Sequence, residues 1–343
     1  MQASERGGCL ERAVARIVRL GPIPRHVAFI MDGNRRFARR QGLPIRRGHA
    51  QGYSSMRYVL RWCRQCGIKV VTVWAFATQN FARGENEVSE LFELARHKFR
   101  ELLRAARRVK RRLRARESPQ TLSRNEGRNA NRVTGFDESV ADDRTRRRRV
   151  AGVRNESCEF TSREFRQSKS ESKSESERES ECEANESESE SESGDSDDEE
   201  EDAKVGIRIS GDLSKLPRDL RDLCAELEQE TAVFSDYILN ICFVYSFETE
   251  LCHAMNALTD SNTSRDTPEE FRRRLSSHMY HADLPPIDIV VRSGGDTRLS
   301  DFQSLRASDA YLHWTKRLWP ELRWFDLIYC LLCYQKHVLL DSK

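Results

Sequence analysis

His26-Val27-Ala28-Phe29-Ile30-Met31-Asp32-Gly33-Asn34-Arg35-Arg36 is the stretch that decides the fold. From His26 to Met31 the run is nearly all apolar, with no polar alternation. A strand that is apolar at successive positions is buried on both faces, as in parallel sheets covered by helices. The run then stops abruptly in a polar, glycine-containing turn. A second stretch repeats the pattern, Val70-Val71-Thr72-Val73-Trp74-Ala75-Phe76 leading into Thr78-Gln79-Asn80. Between the two, Gly48 to Cys66 carries Met56, Val59, Leu60 and Cys63 at helical spacing. Strand, helix, strand with buried strands predicts an α/β fold, an open and mostly parallel sheet flanked by helices.

The same grammar continues outward. Glu87 to about Leu113 reads as a helix, with Val88, Leu91, Phe92, Ala95, Phe99, Leu102 and Leu103 on one stripe. Val205 to Asp212 reads as strand and turn, Leu216 to Ala232 as helix, Tyr237 to Tyr245 as a central strand and Phe247 to Leu258 as helix. Ile287 to Val291 is a further strand, running into Arg292-Ser293-Gly294-Gly295-Asp296. Leu318-Trp319-Pro320 precedes an apolar helix from Phe325 to Leu332. Upstream, Cys9 to Leu20 is an amphipathic helix with Leu10, Ala13, Val14, Ile17 and Val18 on one side and arginines on the other. Such a helix suits an anionic membrane surface or packing on its own domain.

Composition marks what is not core. The chain has 343 residues, 33% charged, only 38% apolar, and a net charge of +3. Residues 104–150 are arginine-rich and read as aperiodic, and residues 167–202 are a Ser/Glu/Asp repeat. Neither can bury enough apolar surface to offset chain entropy. The expected organisation is an amphipathic helix over 1–24, a first part of the folded domain over 25–109, a disordered charged insertion over 110–203 and a second part of that domain over 204–343. The small net charge is then a cancellation between two oppositely charged blocks. No apolar run is long enough for a transmembrane helix, and the N-terminus does not read as a signal peptide. The ten cysteines are scattered and read as reduced thiols in a cytosolic setting. Cys63/Cys66 and Cys330/Cys333 fit core packing, with a four-thiolate zinc site as the alternative.

Three polar clusters follow the carboxyl ends of expected strands: Asp32–Arg36, Thr78–Arg83 and Arg292–Ser300. In open α/β sheets ligands bind at that edge. Arg35, Arg36, Arg46, Arg83, Arg292 and Arg298 offer planar donors for phosphate oxygens. Gly33, Gly294 and Gly295 would let backbone N–H groups approach an anion. Asp32, a carboxylate amid cations, makes sense if a divalent ion such as Mg²⁺ bridges it to phosphate. These residues point to a phosphate or diphosphate site.

The segment HVAFIMDGNRRFARRQG through GHAQGY resembles the first signature of the cis-prenyltransferases, the undecaprenyl and dehydrodolichyl diphosphate synthase family. VTVWAFATQNFARGENEV resembles the second signature and IDIVVRSGGDTRLSDF the third, with Leu318-Trp319-Pro320 as a later landmark. The resemblance covers residues 10–108 and 204–335. It implies an enzyme that condenses isopentenyl diphosphate with an allylic diphosphate, commonly farnesyl diphosphate, forming cis double bonds with Mg²⁺. By that resemblance Asp32 is the essential catalytic and metal-binding aspartate, and Asn80 and Arg83 assist condensation. Gly33, Asn34, Arg35, Arg36, Arg46, His49 and Arg83 would hold the allylic diphosphate. Arg292, Gly294, Gly295, Arg298 and Ser300 would hold isopentenyl diphosphate, and Glu87 matches an acid following the second motif. The chemistry also needs an apolar tunnel, for which Phe92, Phe99, Leu102 and Leu103 are candidates.

GNRRF, LRWC and LFELARHKFRELL resemble the eukaryotic dehydrodolichyl branch. That branch implies long-chain polyprenyl diphosphate for dolichol and protein glycosylation, made peripherally at the cytosolic face of the endoplasmic reticulum membrane. It also implies a Nogo-B-receptor-like accessory subunit that supplies a C-terminal Arg-x-Gly element, which …CYQKHVLLDSK lacks. Some positions depart from the pattern: Ala77 stands for Ser, Gln79 for Glu and Asp296 for Glu, and Ile45 takes a basic position. Tyr311 falls where bacterial members carry a metal-binding Glu. Two other readings stand beside the enzyme. One is an inactive or weakly active scaffold subunit. The other is a nucleic-acid-associated protein acting through Arg104–Arg116 and Arg144–Arg149, although no specific nucleic acid partner is expected.

Overall fold

The computed structural model describes residues 9–116, 204–258 and 267–341. Its apolar runs become six strands: β1 His26–Ile30, β2 Val70–Ala77, β3 Gly206–Ser210, β4 Ile238–Tyr245, β5 Ile289–Arg292 and β6 Tyr311–Trp314. They form one sheet in the order β3-β4-β2-β1-β5-β6, and every pairing is parallel. The expected open parallel α/β sheet is what the chain builds. Both described stretches flanking residues 119–194 belong to one compact unit.

Eight helices surround the sheet among the described residues: α1 Cys9–Val18, α2 Asn34–Arg40, α3 Ile45–Gln65, α4 Glu85–Arg116, α5 Arg218–Thr231, α6 Phe247–Leu258, α7 Pro268–Ser277 and α8 Trp324–Asp341. Alternate strand residues face opposite layers, as the pleat requires. Val27, Phe29, Val71, Val73, Ile241 and Val291 join α1, α3, α4, α5 and α8 in the larger core. Ala28, Ile30, Cys242, Tyr245 and Val290 pack with Phe302 and Ala307 on the other face. There Ala254 and Leu258 of α6 meet Leu275 and Met279, in and just after α7.

The sequence reading needs correction in several places. Residues 104–116 are not aperiodic. Helix α4 continues through them, as the helix expected to about Leu113 requires and past the domain boundary placed at 109, because Ala106, Val109 and Leu113 recur at helical spacing and pack on Phe234. The arginines occupy the remaining positions. Helix α2, helix α7 and the edge strand β6 were not expected. Residues 117–203, where the disordered insertion was placed, lie outside the described residues. The cysteine pairs pack rather than ligate: Cys63, Cys66 and Cys330 are buried, and no group of three or more metal-ligating side chains forms among the described residues.

The strand order positions the site. The connection from β1 carries the chain toward β2, whereas the connection from β5 carries it the other way, to β6. Adjacent strands whose connections diverge leave a crevice at their carboxyl ends. The loops after β1 and β5 are the Asp32–Arg36 and Arg292–Ser300 clusters.

Candidate active site

The two clusters, some 260 residues apart in sequence, meet at Asp32. Its Oδ2 accepts from Arg292 Nη2 at 3.0 Å and its Oδ1 pairs with Arg36 Nη2 at 3.0 Å. Arg292 is 5% exposed, so this is a mostly desolvated charge pair. A guanidinium this buried calls for acceptors on its donors, and both Nη atoms find them while Nε does not. Arg292 Nη1 donates to the Arg298 carbonyl at 2.5 Å and to Ser300 Oγ at 2.8 Å. Its Nη2 also reaches Asp296 Oδ2 at 3.1 Å, and Arg298 Nη2 reaches the same oxygen at 2.8 Å. Asp32, Arg292, Asp296, Arg298 and Ser300 therefore form one knot.

Local backbone geometry holds the knot in place. Gly33 caps α2 with φ +110°, and a Cβ there would come within 2.8 Å of Leu318. Gly294 has φ +90°, and a Cβ there would lie 2.4 Å from Arg36 Nη2. Its carbonyl accepts from Arg36 Nη1 at 2.7 Å. Ser293 Oγ donates to the Asp32 carbonyl at 2.8 Å, and Trp319 N donates to that carbonyl at 2.9 Å. Ser300 and Asp301 sit in the left-handed region, at φ 53° and 68°. The neighbouring Asp301 backbone carbonyl accepts from Phe247 N at 3.0 Å at the start of α6, so the strained turn is anchored.

One expectation fails. Gly294 and Gly295 do not offer their N–H groups to an anion. Gly294 N donates to the Arg317 carbonyl at 2.6 Å and Gly295 N to the Thr315 carbonyl at 2.9 Å. The cause is continuation of the β5–β6 pairing past Arg292 and Trp314, where Thr315 N also bonds the Arg292 carbonyl. The glycines let the loop close on that segment and on Arg36 instead.

Glu87, on the first turns of α4, organises the rest. One carboxylate oxygen, Oε1, lies 2.9 Å from Arg83 Nη1, 3.6 Å from Arg35 Nε and 3.7 Å from His49 Nε2. Burial, and then the charge of Arg83, push the His49 imidazole below its ordinary value, while Glu87 pulls it up. Burial likewise lowers Arg83, which feels Glu87 and, more weakly, Asp32. The second motif thus lies electrostatically beside the first. Asn80 sits in the 3₁₀ turn Thr78–Ala82, its carbonyl accepting from Arg83 N at 3.1 Å. Arg46 stands exposed on the first turn of α3 and makes none of the contacts that knit the cluster. Tyr311 opens β6 beside Ile289, with its ring against Tyr334 and His337, and takes no part in the knot.

The site is short of partners. Among the described residues, the buried side-chain atoms lacking a hydrogen bond belong to Asn34, Arg35, His49, Gln65, Thr78 and Arg292. All but Gln65 come from the motif regions around this crevice. Orphaned buried polar atoms gathered in one place mark where a polar ligand completes the network.

Beside the cluster lies an apolar cavity of about 110 Å³, lined by α3, α4 and the strands and open on one side. Asn34, His49 and Trp319 line it together with Phe76, Leu91, Ala95, Phe99, Leu102 and Phe243. Of the tunnel candidates, Phe99 and Leu102 line it. Phe92 instead packs against Phe76, Phe81 and Phe243, and Leu103 is core. Sequence reasoning missed Glu87 as a hub and Asp296 as a bridge. Their placement among basic residues of their own motifs was the available signal.

A crevice of arginines and carboxylates beside an apolar cavity suits a transferase for apolar chains carried on an anionic group. The comparisons agree. The family described as "Putative undecaprenyl diphosphate synthase" (Prenyltransf) matches residues 30–139 and 172–338. The chain belongs to this family, the cis-prenyltransferases, and is by class a prenyl-transferring polyprenyl diphosphate synthase. It is 28% identical over 327 residues to the human dehydrodolichyl diphosphate synthase complex subunit DHDDS, covering 95% of this chain and 71% of that one. It is 26% identical to the geranylgeranyl-diphosphate-specific tritrans,polycis-undecaprenyl-diphosphate synthase of Archaeoglobus fulgidus, covering 95% and 94%. In fold it is similar to lavandulyl diphosphate synthase from Lavandula x intermedia, with TM-score 0.58, 19% identity, and 91% and 95% of the two chains covered.

Proposed function

We propose that the chain condenses isopentenyl diphosphate with an allylic diphosphate, farnesyl diphosphate, to build a long-chain dehydrodolichyl diphosphate. One observation carries this: Asp32 is held between Arg36 and Arg292 at the switch point, beside an apolar cavity lined by α4.

In the reaction the allylic C1–O bond breaks and its electron pair leaves on the diphosphate. The isopentenyl double bond attacks C1, a C–C bond forms, and a proton is lost to give the new cis double bond. Arginines preorganised around the leaving group stabilise charge as it develops, without reorganising. Gly33, Asn34, Arg35, Arg36 and Arg83 are assigned to the allylic diphosphate. Arg46 and His49 are assigned there too, Arg46 from its place in the signature. Arg292, Arg298 and Ser300 are assigned to isopentenyl diphosphate. Gly294 and Gly295 shape that loop. Asn80 is assigned to positioning the condensing groups.

A resident metal fits only as a shared ion. Asp32 would be the carboxylate that holds Mg²⁺, an ion that takes one or two carboxylates together with substrate phosphate oxygens. When bound, Mg²⁺ supplies charge neutralisation of the diphosphate.

The likeness to the human dehydrodolichyl diphosphate synthase complex subunit supports a dehydrodolichyl product; its use in dolichol synthesis and protein glycosylation, at the cytosolic face of the endoplasmic reticulum membrane, is the part of the proposal that rests on the motifs' resemblance to that branch. Helix α1 and the turn after it support peripheral attachment: Leu10, Ile17 and Leu20 are exposed beside Arg12, Arg16 and Arg19. No helix among the described residues is long and apolar enough to span a bilayer. An accessory, Nogo-B-receptor-like subunit is supported by the edge strand β6 and by exposed Phe325, Tyr329 and Leu332 on α8. Apolar side chains beside an open strand edge suit a protein partner.

The test is incorporation of radiolabelled isopentenyl diphosphate with farnesyl diphosphate and Mg²⁺, with and without the accessory subunit. The chain is expected to yield polyprenyl product, and Asp32→Ala to lose it by 100-fold or more, by analogy with the loss of one key electrostatic group. No product under any wild-type condition overturns the proposal.

A further inference from the structure

Three residues of the turn after β5 hold left-handed backbone although none is glycine: Ser300 at φ 53°, Asp301 at φ 68° and Gln303 at φ 48°. Such residues are strained, and the strain persists only where the surroundings dictate it. Phe302 stands among them, fully buried. Its ring stacks on Trp74 at 5.1 Å and meets that of Tyr245 edge-on at 6.1 Å. Trp74 Nε1 in turn donates to the Tyr245 carbonyl at 3.3 Å. Tyr245, the last residue of β4, is thus part of the seat on which the turn rests.

Behind Tyr245 lies a carboxyl group that the diphosphate chemistry does not use. Glu250, on α6, is fully buried. Its Oε2 accepts from the Tyr245 hydroxyl, and its Oε1 accepts from Tyr280 N at 2.9 Å. Burying a carboxyl group is unfavourable unless its hydrogen bonds are made. Both of these bonds go to the scaffold behind the turn. The same helix is tied to the turn directly, since Glu248 N donates to Asp301 Oδ1 at 3.2 Å. Arg306 fastens the far side, donating to the carbonyls of Tyr280 at 3.1 Å and Leu284 at 2.7 Å.

We infer that Glu250 is a positioning residue for the isopentenyl diphosphate site, acting through Tyr245 and Phe302 to hold Ser300 in the conformation that brings its hydroxyl to Arg292 and Arg298. This rests on the proposed assignment of Ser300 and those two arginines. Ser300 Oγ lies 2.8 Å from Arg292 Nη1 and 3.1 Å from Arg298 Nε. A turn that relaxed toward ordinary backbone would take that acceptor away from both guanidinium groups.

The test is equilibrium binding of isopentenyl diphosphate to the full chain with its accessory subunit, in the presence of unreactive farnesyl thiolodiphosphate and Mg²⁺. It compares wild type, Glu250→Met, Tyr245→Phe, Ser300→Ala, and each of the first two combined with Ser300→Ala. Glu250→Met and Tyr245→Phe are expected to weaken isopentenyl diphosphate about tenfold, the scale of one buried hydrogen bond left unmade. Affinity for the farnesyl analogue is expected to stay unchanged. In the Ser300→Ala background the same two changes are expected to cost less than about twofold, because residues that act through one another are not additive. Tyr245→Phe keeps the ring and its packing, so it carries the test even if Glu250→Met fails to fold. Equal weakening of both ligands, or a full effect in the Ser300→Ala background, reveals a general structural role and overturns the inference. Unchanged isopentenyl diphosphate binding in Tyr245→Phe overturns it as well, and leaves the proposed function standing. If Ser300→Ala itself binds isopentenyl diphosphate as wild type does, the assignment of that site fails and the positioning role falls with it.

Discussion

At the residue scale, Arg292 shows how much one side chain is asked to hold. It bonds two carboxylates, a carbonyl and a hydroxyl while almost fully buried. Lysine has the charge but not the planar fork. Arg292→Lys is therefore expected to raise the KM for isopentenyl diphosphate about tenfold or more and to destabilise the fold by about 1–3 kcal/mol, the cost of unsatisfied buried donors and acceptors. Steady-state kinetics and denaturant titration would separate the two effects. An unchanged KM would remove Arg292 from the proposed isopentenyl site. Gly294→Ala is expected to cost about 1–2 kcal/mol in the same titration, because a Cβ at that φ is strained and meets Arg36. Asp32, Arg36, Arg292, Arg298 and Ser300 were legible in the sequence because their motifs end apolar runs. That Gly294 and Gly295 donate to carbonyls of residues 315 and 317 was not legible, since nothing in the motif reports what pairs beside it.

At the element scale, α4 connects cavity, hub and basic face. Its N-terminal turns carry Glu87, its middle lines the cavity, and its last turns bury Ala106 and Val109 against Phe234. Its arginine-rich end carries a stripe of only three apolar positions, which is why the composition of residues 104–116 reads as aperiodic although the helical spacing runs on to Leu113. Val109→Ala is expected to lower stability by about 2 kcal/mol, from the methyl groups lost at a buried site. Arg108→Ala, on the exposed side, is expected to stay within ~0.5 kcal/mol. Equal effects of the two in thermal melts would mean the last turns of α4 do not pack as described. Strand β6 was missed for a related reason. Tyr311–Trp314 is a four-residue edge strand, only partly buried, so it has neither the length nor the apolar continuity that betrays β1 and β2.

At the scale of the whole molecule, a chain of buried polar groups crosses four strands. His26 Nδ1 donates to the Pro285 carbonyl at 2.8 Å, since that partner can only accept, and Nε2 therefore accepts from Thr72 Oγ1 at 2.7 Å. Thr72 in turn accepts from Asn240 Nδ2 at 3.2 Å, and Asn240 Oδ1 accepts from Ser210 at 2.8 Å. This chain needs neutral His26, and burial pulls its pKa from 6.5 to about 4. The unfolded chain takes up the proton at higher pH than the folded one. The stability His26 contributes is thus fully present above pH 6.5, shrinks as pH falls, and is gone below about 4, a total of ~3 kcal/mol. Glu250, whose carboxyl is pushed up by burial, acts in the opposite sense. The measurement is therefore the difference between wild type and His26→Gln in denaturant midpoints at pH 7 and pH 5. Wild type is expected to lose about 2 kcal/mol more than the variant. Parallel losses would show that His26 takes up its proton as readily in the folded chain as in the unfolded one, and would overturn the buried neutral histidine.

The sheet order also has a temporal side. Strand β1 is made early, yet one of its two flanks is covered only by β5, and Asp32 finds Arg292 only after 260 further residues. During synthesis at the ribosome, the N-terminal strands emerge with one long edge bare and their aspartate unaccompanied. Bare strand edges recruit other chains. The order of strands therefore sets a window during translation in which an edge of the sheet lies open to other chains. A truncation ending before β5 should aggregate, rather than give a smaller version of the same fold.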